Sequence, residues 1–220
     1  LSVVSAETAG TTLKAEGGSI DLASEDNTIN GTVNVEGGEV DIKGDNDFDY
    51  GKVATDASGN LTIKGNGNDV TIKEVVEIDG NFVVDNADNI SLESGISAVD
   101  ITFKGSKSTV SGNITGEDLA VKTADGAANA DLKQTSGDIA VTSVTAASIE
   151  QTGGTMKVAG AVTVDGTLKQ NGPDGTLISS KTITADKIEQ TGGKIEATEK
   201  ITANVTQSGC EIDTPVLEGD

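Results

Sequence analysis

The chain has 220 residues, a formal net charge of −21 at pH 7 and only 35% apolar residues. With no Trp, one Tyr and three Phe, it lacks the large side chains that fill the centre of a compact globule of this length. All 15 basic residues are Lys, and a pI near 4.1 disfavours nucleic acid and anionic membrane surfaces, which would repel it.

Disorder is the competing reading of so acidic a chain, but small aliphatics alternate with polar residues over most of its length, which marks β-strands. Residues 1–12 read as an N-terminal strand or cap, opening with Leu1, Val3 and Val4. Residues 13–22 (LKAEGGSIDL) return as residues 33–42 (VNVEGGEVDI), a period of 20. Residues 43–60 read as an acidic insertion. Leu61/Ile63 with Val70/Ile72, Phe82/Val84 with Ile90/Leu92, and Ile101/Phe103 with Val110 continue the alternation. The stretch 115–131 fits no register.

From 132 to 217 the repeat is regular. The chain's five glutamines, Gln134, Gln151, Gln170, Gln190 and Gln207, each sit in one recurring phrase, and their spacings are 17, 19, 20 and 17 residues. In each phrase an aliphatic residue lies two positions before the glutamine, and a Gly-containing turn follows. Ile188/Gln190, Ile195/Ala197 and Ile201/Ala203 then give three short inward-facing strands joined by tight corners, which make one triangular coil. A unit that returns this often buries its apolar face by stacking on its neighbours. The next inward aliphatic lies five residues after each glutamine, except after Gln170, where Pro173 and Asp174 add a two-residue corner insertion. The expected fold is all-β: one domain over residues 1–220, a single-stranded, right-handed parallel β-helix. Nine to eleven coils at roughly 4.8 Å each give a rod about 50 Å long.

Alternation aims the glutamines inward. Stacked one coil apart, they are expected to hydrogen-bond amide to amide as an internal ladder. The outward residues between each aliphatic and its glutamine run Lys133, Glu150, Lys169, Glu189 and Thr206, so the first four alternate in sign and disfavour slipped stacking. Asp45, Asp47 and Asp49, in the segment 44–51 with Phe48 and Tyr50, resemble the first half of a calcium loop. They are the candidate Ca²⁺ ligands, although the later acidic ligand of an EF-hand is missing. No other cofactor is expected. Cys210 is the lone cysteine and excludes an internal disulfide framework. Asn-x-Ser/Thr triplets at Asn30, Asn60, Asn89, Asn113 and Asn204 matter only where surface proteins are glycosylated.

These coils resemble those of the right-handed parallel β-helix superfamily of prokaryotic surface proteins, especially filamentous-haemagglutinin-like passengers and adhesins. They are also similar in size to the coils of bactofilins. The resemblance implies a cell-surface or extracellular location, in a mature form after signal removal. The expected function is structural: a subunit of an extracellular filament, sheath or lattice that assembles with itself through its solenoid ends. Leu1, Val3, Val4, Val216 and Leu217 would lie at those ends. The alternative is an adhesin or secreted passenger fragment that binds a host or polysaccharide ligand. An enzyme is not expected, because no Arg or His exists and no acidic pair stands clear of the general acidity. No stretch reaches the roughly 18 apolar residues of a membrane span, so no membrane insertion is expected.

Overall fold

The structure, a computed structural model, describes the strand backbone between residues 2 and 64. It describes backbone and side chains from 69 to 219, apart from 73–74, 78–79 and 209, and also at 62 and 67. The chain is a parallel β-solenoid with no helix among these residues. Each coil has three faces. In the coil that opens the glutamine series these are Asp131–Gln134, Asp138–Val141 and Ser143–Ala146, and the next strand, Ser148–Gln151, begins the coil above. Strands of three or four residues joined by corners of one to three residues follow directly from the alternation and the Gly-rich turns.

On the first face a column of inward residues runs Val70, Ile90, Ser108, Leu132, Ile149, Leu168, Ile188 and Val205, each paired with the one before. The steps are therefore 20, 18, 24, 17, 19, 20 and 17 residues. The second face is an eleven-stranded sheet. Within it Ile139, Met156, Leu177, Ile195 and Ile212 stack in sequence, so the two residues added at Pro173 and Asp174 are absorbed in the corner without disturbing the register. The first and third faces join into one eighteen-stranded sheet, because Thr182–Gln190 and Lys200–Gln207 run unbroken around the corner between them. The 20-residue period of the N-terminal part is a true coil step: Leu13 pairs with Val33, and Ile20 with Val40.

The inward columns form one continuous core of Val, Ile, Leu and Ala. Its largest members, Phe82 and Phe103, meet edge to face with centroids 6.4 Å apart, a geometry favoured by the ring quadrupoles. A tube one side chain across needs little aromatic volume, which is why Phe82 and Phe103 suffice among the described residues.

The two stretches that break the rhythm resolve differently. Within 43–60 lie the strands Val53–Asp56 and the start of Asn60–Lys64, and Val53 pairs with Val33 as the next coil of the second face. In 115–131 the strand Asp118–Lys122 continues the third face. The chain then leaves the coil as a small hairpin, with an antiparallel bridge between Lys122 and Asn129. The hairpin accounts for the long step of 24 and for the failure of sequence periodicity there.

Candidate site: corner glutamines and the open edge of the last coil

Each glutamine of the series ends a strand of the first face, at the corner where the chain turns into the second. Gln134, Gln151, Gln170 and Gln190 are buried. Their Nε2 groups are engaged mainly with backbone. Gln134 donates to Gly137 O at 2.8 Å and to Thr155 O at 3.1 Å. Gln151 donates to Gly154 O and Thr176 O, both at 3.1 Å, Gln170 to Gly175 O and Lys194 O, and Gln190 to Gly193 O and Glu211 O. One acceptor is the glutamine's own corner; the other is the first residue of the second-face strand one coil above. The amide thus closes its corner and clamps it to the next coil. The glutamines do stack in register, as expected; what is corrected is the bonding between them. Only one amide-to-amide bond forms, from Gln151 Nε2 to Gln134 Oε1 at 3.0 Å. The corner carbonyls point at the amide and take its two protons first, and the Oε1 atoms of Gln151, Gln170 and Gln190 are buried without a donor from the protein.

The glycine three residues after the glutamine has a specific task. Gly137, Gly154 and Gly193 have φ of 72°, 77° and 65°, the left-handed region that a Cβ disfavours. A Cβ on Gly154 would also come within 2.3 Å of Gly137 O, and one on Gly193 within 2.1 Å of Gly175 O. The Gln-x-Gly/Ser-Gly phrase is therefore a corner motif in which glycine lets the carbonyl turn inward and glutamine captures it.

Gln207 departs from the series. It is exposed, because no coil covers it among the described residues. Its Nε2 donates to Cys210 O, the position of the corner glycine. Cys210 is half-buried; its thiol donates to Gln190 O at 3.3 Å.

Outside, Lys133, Glu150, Lys169 and Glu189 stack in register as expected. Lys133 Nζ lies 3.3 Å from Glu150 Oε2. Partial burial works against the Glu150 carboxylate, but Lys133, Asn171 and Lys169 outweigh it and hold the carboxyl below its usual range. Glu189 pairs instead with Lys187 on its own strand, whose hydrogen bond and charge lower its pKa. Lys194, between Glu196 and Glu211, is held above the usual lysine range by hydrogen bonds to both.

The strand segments 204–207, 211–213 and 217–218 of the last described coil pair with the coil below. Val216 is 41% exposed, as is Val75, and Leu217 at 53% is the most exposed large apolar side chain among the described residues. Ser2 and Val3 lie in a strand paired with Asp21 and Leu22, while Leu1 and Val4 fall outside the described residues. So do Asp45, Asp47 and Asp49, the candidate Ca²⁺ ligands. Among the described residues no group of three or more His, Cys, Asp or Glu side chains converges as metal ligands would, and no helix is long and apolar enough to cross a membrane. A shallow polar groove follows the corner between the third and first faces, floored by Thr163, Thr184 and Thr202 and edged by Asp165, Asp186 and Asn204. The fold and its corner chemistry define a parallel β-solenoid. No protein-family model matches the chain, and no similar curated protein or solved structure is found.

Proposed function

We propose that the chain is a structural, non-enzymatic protein of the cell surface, a rod that assembles with further copies of itself through its solenoid ends. The observation that supports this reading is the solenoid itself, whose coils are joined by parallel strand pairing and by glutamine clamps that a further coil can continue. Unpaired strand edges take up further strands. Head-to-tail contacts that do not close give filaments. The charge of −21 opposes side-to-side association and leaves the axial direction open, so salt should promote bundling by screening the flanks. The composition, acidic and rich in Thr, Asn and Gly with a single Cys, supports a surface location.

Light scattering and negative-stain microscopy of the 220-residue chain test the proposal. Axial oligomers or filaments are expected, and they should be weakened by Leu217→Lys, which places a charge on the exposed edge. A chain that stays monomeric at high concentration, with or without salt and Ca²⁺, overturns the filament reading in favour of an adhesin or passenger fragment.

A further inference from the structure

The hairpin that leaves the third face brings together three side chains that the solenoid does not need. Lys122 and Asn129 face each other across an antiparallel bridge. Backbone bonds on both sides fix the pair, from Thr123 N to Ala128 O at 2.9 Å and from Ala130 N to Val121 O at 2.9 Å. The turn is held by Asp125, which accepts from Thr123 Oγ1 and from Ala127 N, with Gly126 at φ 72°. Lys122 Nζ donates to Asn129 Oδ1 at 2.6 Å. On the far side of the same amide, Asn129 Nδ2 donates to Asp165 Oδ2 at 2.7 Å. Asp165 belongs to a higher coil, 36 residues further along the chain. An amine, a carboxamide and a carboxylate are therefore joined by successive hydrogen bonds, with the amine already in contact with the amide.

We infer that Lys122 and Asn129 are the site of an intramolecular isopeptide bond, with Asp165 as the group that assists the departure of ammonia. Unprotonated Lys122 Nζ adds to Asn129 Cγ. The Nζ–Cγ bond forms, the Cγ–Nδ2 bond breaks, and the proton lost from Nζ is matched by one gained at Nδ2, carried through solvent. Ammonia leaves, nothing is oxidised or reduced, and no other reactant is needed. Asp165 holds Nδ2 and favours the positive charge that develops as the leaving nitrogen is protonated. The paired strands supply the proximity, since opposed residues in a bridge keep their side chains in contact without a search. The nucleophile is a free amine, so the step speeds up in alkali. The product would close the hairpin covalently at its base, and a cut anywhere in 123–128 would leave both pieces joined. In a chain with one cysteine, this is a cross-link that needs no oxidising environment.

The test is intact-mass spectrometry of the folded chain, fresh and after incubation at about pH 9, below the usual lysine pKa of about 10.4. A fraction lighter by one ammonia is expected, growing with time. Tandem spectra should place the loss on a branched peptide joining Lys122 to Asn129. Lys122→Arg, which keeps the charge and the hydrogen bond, should abolish the branched peptide, and Asp165→Asn should slow its formation about tenfold or more. Full mass throughout in a chain that circular dichroism shows to be folded overturns the inference. So does an ammonia loss that persists in Lys122→Arg, which would belong to a succinimide at one of the Asn-Gly pairs, Asn30-Gly31, Asn66-Gly67 or Asn171-Gly172.

Discussion

Gln170→Glu tests the corner clamp most directly. Gln170 is 0% exposed, and its Nε2 serves Gly175 O and Lys194 O. A carboxylate in its place faces two carbonyl oxygens with no proton to offer. Each buried carbonyl left without its donor costs about 1–3 kcal/mol, so the lost bonds alone amount to roughly 2–6 kcal/mol. Burial of the new charge adds to this until the carboxyl protonates. Because burial and the facing carbonyls disfavour the charged form, the folded-state pKa of the new Glu lies above its unfolded value of about 4.3. The deficit therefore grows as pH rises through the unfolded pKa, by about 1.4 kcal/mol per unit, and levels off above the folded one. At pH 5 the protonated carboxyl can give one hydrogen back to a corner carbonyl, and part of the loss is recovered. Gln170→Leu separates the terms, since it removes the donors without adding charge and should show the pH-independent part alone. Urea unfolding followed by circular dichroism at pH 5 and pH 7 measures both variants. Equal midpoints for Gln170→Glu and the parent at pH 7 would refute a buried clamp, and a deficit that does not shrink at pH 5 would refute its assignment to charge.

Two further expectations concern the corners. Gly154→Ala forces a Cβ onto φ 77° and to within 2.3 Å of Gly137 O, and should cost more than the roughly 1–2 kcal/mol of left-handed strain alone. Gly67→Ala, at φ 81° with open space around it, should cost only that strain, so melting curves of the two separate the clash from the backbone term. If Asp45, Asp47 and Asp49 bind Ca²⁺, EDTA should lower the melting temperature and Asp47→Ala should remove the response; a calorimetric titration without heat leaves an acidic corner and no site.

The coil was legible in the sequence because a period-2 pattern inside a period near 18 has one physical solution: short strands around a tube, each stacked on its own repeat. The glutamine spacings of 17, 19, 20 and 17 are the coil steps themselves, and Pro173-Asp174 sits in the corner where the extra length was placed. The partners of the glutamines were not legible. Alternation says which way a side chain points and says nothing of whether its amide meets another amide or a carbonyl; that depends on the turn, and the turn depends on a positive φ at the glycine three residues on. The signal was present all the same, since Gly137, Gly154 and Gly193 keep a fixed distance from their glutamines. The Lys122–Asn129–Asp165 set was invisible for a different reason. A hairpin that breaks the repeat has no neighbour to be compared with, and its third member comes from a coil 36 residues away.

The corner chemistry also bears on assembly. A coil whose glutamine clamps the coil above is complete only when that coil exists. Gln190 reaches Glu211 O because the following coil supplies it; among the described residues Gln207 reaches its own corner. Apolar stacking at an edge is tolerant of register, since Val205, Ile212 and Leu217 accept any aliphatic neighbour. A hydrogen bond from Gln207 is not tolerant, because it needs a carbonyl at the start of a second-face strand one rung up. If rods join at this edge, the two terms have separate consequences. Leu217→Lys should weaken association by removing apolar contact, whereas Gln207→Leu should keep the apolar contact and loosen the register. Filaments of the second variant would then form but lose axial order, which fibre diffraction reads as a sharp rung spacing of about 4.8 Å with its longer subunit repeat smeared. An unchanged subunit repeat in Gln207→Leu would show that the clamp works only within the chain.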